Sequence, residues 1–348
     1  MKKVRIGNRL IGEGEQCFII AEAGVNHNGE IKLAKKLIEV AKNAGADAIK
    51  FQTFKAENLV IKKAEKAEYQ KDTTEEGTQY EMIKSLELSE KEFRELANYA
   101  EKRDIMFLSS PFDKESVDLL DRLDVPAFKI GSGEITNFPL LKYIAKRRKP
   151  IILSTGMATL GEVEEALNII RSEGVDDVIL LHCVSNYPAK IEDVNLRAME
   201  TLKQAFKLPI GFSDHTLGIT APIAAVALGA CVIEKHFTLD RNLPGPDHKA
   251  SLEPDELKEM VKAIRDTEKA LGDGIKKPTK EEEEIKKIAR KSIIAKVEIP
   301  KGTIITEEML DVKRPGTGIK PKYMGIVIGS RAKTEIRPNE QITFEKLL

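Results

Sequence analysis

The chain has 348 residues, 41% of them hydrophobic, and its 56 basic residues are balanced by 56 acidic ones. It is too apolar for a disordered chain, and the charge balance gives no electrostatic footprint for nucleic acid or an anionic membrane. The longest uncharged apolar stretch (219–233) is too short to span a bilayer, and the first residues carry no signal-peptide core. We therefore expect a cytoplasmic protein, in which Cys17, Cys183 and Cys231 are buried reduced thiols.

A possible hairpin (Val4–Ile6 and Arg9–Ile11) opens the chain. Eight strand-like runs follow, at 17–24, 48–54, 106–112, 127–133, 150–156, 178–184, 209–216 and 231–238. Between or after them lie amphipathic stretches such as 31–44, 90–103, 161–172, 196–206 and 254–271. This alternation predicts a (β/α)8 TIM barrel over residues 1–272. A doubly wound open sheet is the competing architecture, but Thr136 stands where the third glycine of a dinucleotide fingerprint would be.

The composition changes after the predicted barrel. Residues 273–290 are charge-dense and carry a glycine and a proline, which is typical of a linker with a short helix. Residues 291–348 alternate apolar and polar positions between glycine and proline turns. They predict a small β-rich domain, too small to be robust alone and therefore docked onto another surface.

The predicted strands end in polar side chains. The set comprises Glu22, Lys50, Gln52, Ser109, Ser110, Lys129 leading to Glu134, Ser154, Thr155, His182, Ser213 to His215 and Glu234 to His236. Any strand can become polar as it leaves a core, but barrel enzymes place their active sites at this end of the strands. Because all eight strands end in ionisable or hydroxyl groups, the pattern favours an active site.

The five histidines sharpen this prediction. His215 and His236 end consecutive strands, so their imidazoles can converge on one divalent cation. The absence of a CxxC pair favours an open catalytic site over a structural zinc site. The alternative is that both are hydrogen-bonded core histidines.

Lys50 and Lys129 are predicted to point into the barrel, and a buried lysine needs an anion. Three interpretations are open. The lysines could pair with Glu22 or Glu134, or one could form a Schiff base as in aldolases. They could instead bind a phosphorylated or carboxylated substrate with the hydroxyls of Ser132, Ser154 and Ser213, which the number of donors favours.

Several long blocks of this sequence are collinear with a known family. They are AEAGVNHNG (21–29), KFQTF (50–54), SSPFD (109–113), KIGSGE (129–134), STGMAT (154–159), LHCVSNYP (181–188), GFSDHT (211–216) and EKHFTLDRNLPGPDH (234–248). Together they make the chain resemble the sialic acid (N-acetylneuraminate) synthase family. The last sixty residues, including VKRPGTGI (312–319), resemble the antifreeze-like (SAF) domain of these enzymes.

The resemblance implies a reaction. Phosphoenolpyruvate would condense with N-acetylmannosamine or a related N-acyl hexosamine, and water would release phosphate from the intermediate. His215 and His236 would hold Mn²⁺ or Mg²⁺ to polarise the sugar aldehyde. Glu134 would handle the proton at the new hydroxyl, assisted by Glu22.

The resemblance also assigns the residues that bind substrate. Phosphoenolpyruvate would contact Lys50, Ser110, Lys129, Ser132, Ser154, Ser185 and Ser213, with Ser185 at a position where some members carry asparagine. The sugar would contact Gln52, Tyr187 and Asp247. Arg314 would reach it from the small domain of the partner subunit, which implies a domain-swapped homodimer.

The acceptor is not fixed by these motifs, because synthases of legionaminic and pseudaminic acid share nearly all of them. Phosphorylated acceptors also remain open. A more distant alternative is a metal-free lysine aldolase that uses pyruvate. A non-enzymatic carbohydrate- or ice-binding protein would leave the polar lumen without a purpose.

Overall fold

The structure is a computed structural model that describes residues 2–71, 73–74 and 76–348, with the side chains of 68 and 69 excepted. It divides into two compact units, Met1–Gly272 and Asp273–Leu348. Each unit is described in turn. No helix in the described part of the chain is both long enough and apolar enough to cross a membrane.

The first unit is a nearly closed barrel preceded by a hairpin. Strands β1 (Val4–Ile6) and β2 (Arg9–Ile11) form the antiparallel hairpin. The barrel strands are β3 (Phe18–Gly24), β4 (Ala48–Thr53), β5 (Met106–Pro111), β6 (Phe128–Ile130), β7 (Ile151–Ser154), β8 (Val178–Cys183), β9 (Ile210–Asp214) and β10 (Val232–His236). All are parallel, in the order β5-β4-β3-β10-β9-β8-β7-β6. This confirms the predicted TIM-barrel architecture.

Helices surround the strands. They are α1 (Ile31–Ala44), α2 (Ala56–Leu59), α3 (Glu68–Lys71), α4 (Gln79–Ser85), α5 (Glu90–Lys102), α6 (Lys114–Arg122), α7 (Phe138–Ala145), α8 (Leu160–Ser172), α9 (Ala198–Phe206), α10 (Thr220–Ala227) and α11 (Pro254–Leu271). Helix α1 shows why the sequence folds locally: Ala34, Leu37, Ile38 and Ala41 recur at helical spacing and are all buried against the barrel. Gly45 then ends the helix in the left-handed conformation.

Strand β6 is shorter than predicted. The run 127–133 was expected to be extended, but the strand stops at Ile130 and residues 132–134 form a 3-10 turn. Gly131 begins this turn, and Glu134 closes it with a backbone hydrogen bond to the Gly131 carbonyl oxygen. The turn brings Ser132 and Glu134 out of the strand register at the carboxyl end of the barrel.

Asp47 joins three elements at the amino end of the barrel. Its carboxylate pairs with Arg9 of the hairpin and lies 2.9 Å from Arg265 of α11. It also accepts a 2.8 Å hydrogen bond from the Ile19 amide of β3. These bonds hold the hairpin at the amino ends of the barrel strands, opposite to the carboxyl ends that carry the polar side chains.

His27 provides a test of burial through pH. The ring is buried after β3, and desolvation lowers its pKa from 6.5 to about 4, with His248 adding to the effect. Between these values the unfolded chain binds a proton that the folded chain does not, so stability falls as pH drops from 6.5 towards 4. We expect the free energy of unfolding to lose about 3 kcal/mol from this residue, at about 1.4 kcal/mol per pKa unit. Denaturant unfolding at several pH values measures it.

The matched control is His27→Asn, whose amide can still accept the 3.0 Å hydrogen bond from the Gly29 amide but does not titrate. The difference between the two proteins isolates His27 from the carboxylates that titrate in the same range. Equal acid sensitivity of the two proteins would contradict the prediction.

The second unit is built from short elements. It contains α12 (Lys280–Ala289), β11 (Ser292–Ala295), β12 (Leu310–Lys313) and α13 (Met324–Val327), around a core that includes Ile293, Ile299 and Ile336. Helix α12 lies inside the segment predicted as a linker, and its Lys287 carbonyl oxygen accepts a hydrogen bond from the Gly316 amide. Residues 324–327, within the segment predicted to be β-rich, form a helical turn, in which Val327 is buried while Ile326 is exposed.

Candidate active site

Alternate residues of the barrel strands face the lumen. Near the amino end these are apolar and form one cluster with the hairpin, which includes Phe18, Ile20, Ala48, Leu108, Ala127, Ile152, Leu181 and Val232. Two or four residues further along the same register come Glu22, Lys50, Ser110, Lys129, Ser154, Cys183, Glu234 and His236, all buried. The lumen is therefore apolar at its floor and polar at its mouth.

Lys50 lies among three polar side chains that line the mouth of the lumen. Its Nζ lies 2.8 Å from Glu22 Oε2 and 3.7 Å from Glu234 Oε2, and it donates a 3.2 Å hydrogen bond to Ser110. Burial raises the pKa of Glu22 above its ordinary range, although Lys50 partly opposes this. The two carboxylates raise the pKa of Lys50 despite its burial, so it remains charged.

Glu234 contacts both lysines; the sequence analysis counted it among the polar strand ends but assigned it no role in the site. Its Oε1 lies 3.3 Å from Lys129 Nζ and accepts a 2.9 Å hydrogen bond from Ser213. Burial alone would raise the pKa of Glu234, but Lys129, Lys50 and Ser213 outweigh it and lower the pKa. The pKa of Lys129 is lowered by burial. The position of Glu234 two residues before His236 on the lumen face was the signal available in the sequence.

Pairing of the lysines with Glu22 or Glu134 was one of the three interpretations left open by the sequence. Glu22 contacts Lys50, and both lysines also approach Glu234. Glu134 instead accepts a 2.6 Å hydrogen bond from Asn137, and partial burial raises its pKa. It is half-buried in the turn after β6, at the carboxyl end of that strand.

His215 and His236 lie together, with ring centroids 5.4 Å apart. His215 Nδ1 is 2.6 Å from the Val184 carbonyl oxygen, to which it donates, and this leaves the Nε2 lone pair for another partner. His236 Nδ1 is buried and has no hydrogen-bond partner among the described residues. Burial lowers the pKa of both, and the charge of His215 would lower that of His236 further, so both rings are neutral.

Neutral imidazoles with available lone pairs suit a divalent cation. The nearest carboxylate is that of Asp247, whose Oδ2 is 3.9 Å from His236 Nδ1. Within the described residues, no group of three or more histidine, cysteine, aspartate or glutamate side chains is arranged to hold a metal ion. The donor set therefore fits an open site in which water or substrate completes the coordination.

Gly24 gathers three predicted site residues around itself. The strand bulges between Glu22 and Gly24, where φ is +53°. A Cβ at Gly24 would stand 3.3 Å from Glu22 Oε1, 3.5 Å from Gln52 Nε2 and 3.5 Å from His236 Cε1. Glycine adopts this left-handed conformation without strain and leaves room for the three side chains to converge.

A group of hydroxyls lies at the ends of β6, β7 and β8. Ser132 Oγ accepts a 2.9 Å hydrogen bond from the Gly156 amide and lies 3.0 Å from Cys183 Sγ. A Cβ at Gly156 would be 2.9 Å from Ser132 Oγ and nearer still to Ser185 Oγ, so these two serines are neighbours. Ser154 Oγ is buried and has no partner among the described residues. Such unpartnered or clustered hydroxyls suit the oxygens of an anion.

Asp247 and Tyr187 lie beside the histidines. The Tyr187 ring centroid is 4.2 Å from that of His215, and burial raises the pKa of Asp247 to about 6. Asn26 donates to Ser251 Oγ at 2.9 Å, and Ser251 in turn donates to the Asp247 carbonyl oxygen at 2.6 Å. The loop after β3 thereby holds the loop that carries Asp247.

The structure therefore brings together most of the predicted site residues within the first unit. Arg314 is in the second unit, where it is exposed beside β12. His182 lies outside the lumen: its ring faces Phe212 of the outer core, and its Nε2 is 2.7 Å from the Val194 carbonyl oxygen.

Comparison with known proteins gives concordant results. Residues 37–276 match the model of the NeuB family, and residues 290–348 match that of the SAF domain. The N,N'-diacetyllegionaminic acid synthase of Campylobacter jejuni is 55% identical over 331 residues, which cover 94% of this chain and 99% of that protein. The synthase of the same name from Legionella pneumophila is 50% identical, covering 97% and 96%.

A solved structure agrees with the fold. The crystal structure of N-acetylneuraminic acid (sialic acid) synthetase from Leptospira borgpetersenii has a TM-score of 0.72 and 39% sequence identity to this chain. The match covers 82% of this chain and 95% of the Leptospira chain.

Proposed function

The chain belongs to the NeuB family, and on that premise we propose that it condenses phosphoenolpyruvate with a 6-deoxy-2,4-diacetamido hexose to give N,N'-diacetyllegionaminic acid and phosphate. The observation that carries the choice of acceptor is the identity of 55% and 50%, over nearly the whole chain, to two synthases named for that product. The Leptospira enzyme named for N-acetylneuraminic acid is 39% identical. The similarity thus favours the alternative acceptor of the sequence prediction over N-acetylmannosamine.

Phosphoenolpyruvate binds to the two buried lysines and to the cluster of serine hydroxyls beside them. Lys50 and Lys129 supply buried positive charge at the polar end of the lumen, and hydroxyls supply donors around it, namely those of Ser110, Ser132, Ser154, Ser185 and Ser213. Support comes from the burial of both ammonium groups, because a charge held out of water interacts strongly with an incoming anion. Glu22 and Glu234 neutralise the lysines until the anion arrives.

C3 of phosphoenolpyruvate attacks the aldehyde carbon of the acceptor, which leaves positive charge at C2. Water adds at C2, and the tetrahedral intermediate loses phosphate. Glu134 delivers the proton to the new hydroxyl, and the burial that raises its pKa favours the protonated form that a general acid needs. Glu22, next to Gln52 and His236 around Gly24, orients the water.

His215 and His236 are the residues that would hold Mn²⁺ or Mg²⁺. When bound, the cation supplies Lewis-acid polarisation of the aldehyde oxygen. The hydrogen bond from His215 to the Val184 carbonyl oxygen holds that ring in the tautomer a metal ligand needs.

The sugar lies against Gln52, Tyr187 and Asp247. Arg314 contacts its acyl group from the partner subunit of a domain-swapped homodimer. Static light scattering at the concentration of the activity assay tests the assembly. A monomer with full activity would contradict the domain-swapped homodimer.

The experiment that tests the proposal follows phosphate release by chelator-stripped protein with phosphoenolpyruvate, with and without Mn²⁺. Parallel reactions contain the diacetamido hexose, N-acetylmannosamine or its 6-phosphate. We expect metal-dependent release that is fastest with the diacetamido sugar. Fastest release with N-acetylmannosamine would support the second candidate function instead. Metal-independent condensation of pyruvate, with borohydride trapping at Lys50 or Lys129, would overturn the mechanism in favour of a lysine aldolase.

A further inference from the structure

A buried ion pair lies directly behind the two histidines. Asp214 and Lys235 are paired in register on β9 and β10, and each immediately precedes a histidine, His215 or His236. Lys235 Nζ is 2.6 Å from Asp214 Oδ2, and both side chains are fully buried. The mechanism above uses neither of them.

The pair is on the outer face of the barrel wall. Phe212 and Ile233, two residues earlier on the same strands, belong to the core cluster between strands and helices. Because successive side chains of a strand alternate between its faces, Asp214 and Lys235 face the helices while the histidines face the lumen. The pair cannot touch substrate or cation and can act only through the backbone.

Its contacts hold the backbone on both sides of His215. Lys235 Nζ donates to the Thr216 carbonyl oxygen as well as to Asp214. The Asp214 carboxylate accepts hydrogen bonds from the Thr216 amide at 2.9 Å and from its hydroxyl at 3.1 Å. The ladder between β9 and β10 ends at the Asp214–Lys235 pair. The ion pair thus extends the connection between the strands past His215.

Stability alone does not account for such a pair. Apolar residues of similar volume in place of a buried ion pair usually give equal or greater stability, because desolvation of the two charges is costly. Apolar contacts are not directional, whereas hydrogen bonds are. Only the hydrogen-bonded pair can therefore define the position of the Thr216 backbone and of the neighbouring His215. The ion pair therefore serves to fix the position of the backbone around His215.

We propose that Asp214 and Lys235 are positioning residues that set the separation of His215 and His236, and through it the affinity of the site for a divalent cation. The inference rests on the proposed function in that it takes these histidines as the metal ligands. Groups that orient metal ligands typically change metal affinity 10- to 100-fold when they are removed.

The test compares Asp214→Asn and the double variant Asp214→Leu/Lys235→Met with the unaltered protein. Free Mn²⁺ is followed by electron paramagnetic resonance to obtain its Kd, and the Tm of the metal-free protein is measured by calorimetry. We expect the Kd to rise about 10- to 100-fold in both variants. The Tm of the double variant falls less than that of Asp214→Asn, since no buried charge is left unpaired and only the hydrogen bonds to Thr216 are lost.

The matched control is Asp47→Asn, which removes a carboxylate that pairs with Arg9 and Arg265 at the opposite end of the barrel. It should lower the Tm and leave the Mn²⁺ Kd unchanged. A double variant that binds Mn²⁺ as tightly as the unaltered protein, or an equal loss of affinity in Asp47→Asn, would overturn the positioning role. If His215→Ala also leaves the Kd unchanged, the metal assignment itself fails, and the positioning role falls with it.

Discussion

Lys129→Met is expected to lower kcat/KM for phosphoenolpyruvate on the order of 10²- to 10³-fold, the usual effect of removing one buried group that stabilises developing negative charge. The Lys129 ammonium is buried in the lumen, and it pairs with the Glu234 carboxylate at 3.3 Å. Methionine keeps most of the length of the lysine side chain and removes the charged ammonium group with its donors. Steady-state phosphate release at saturating acceptor, with phosphoenolpyruvate varied, measures the effect.

A surface lysine provides the control for this substitution. Lys142 of α7 is about half exposed and pairs with Glu173 on the outside of the barrel, so Lys142→Met removes an equal charge far from the lumen. It should leave kcat/KM within about twofold, because a solvent-exposed ion pair contributes little. Near-normal kcat/KM in Lys129→Met would show that the lysine only balances Glu234 and does not bind substrate.

The strands of the barrel could be predicted from sequence because a buried parallel strand is a continuous apolar run that ends abruptly. The run 48–54 became Ala48–Thr53 and the run 178–184 became Val178–Cys183. The run 127–133 fared less well, since the backbone turn at Gly131 depends on local conformation that apolar content does not reveal.

Pairing across the lumen was beyond sequence reasoning. The two-residue period placed Lys129 in the barrel, but its partner Glu234 comes from β10, which is not a hydrogen-bonded neighbour of β6. Likewise, the ends of β9 and β10 were recognised as polar. That His215 faces the lumen and Asp214 faces the helices became clear only from the pairing of the two strands in the structure. The bulge at Gly24 is a further local feature that could not be predicted from composition.

Glu234→Gln is expected to lower the free energy of unfolding by about 3–5 kcal/mol, because breaking a buried ion pair from one side leaves the other charge uncompensated. Glutamine preserves the shape of the side chain and can still accept from Ser213, whose hydroxyl lies 2.9 Å from Oε1. The loss therefore reports the charge opposite Lys129 and Lys50. Denaturant unfolding at pH 7 in a phosphate-free buffer measures it.

The same substitution should strengthen the response to phosphate. In the unaltered protein an anion must compete with Glu234 for Lys129, whereas in Glu234→Gln it restores the missing charge, so inorganic phosphate should raise the Tm more in the variant. The double variant Glu234→Gln/Lys129→Met removes both charges and should recover most of the lost stability, with no added response to phosphate. If Glu234→Gln were as stable as the unaltered protein and responded equally to phosphate, Lys129 would have to be neutral in the resting enzyme. Anion binding would then depend on Lys50 alone.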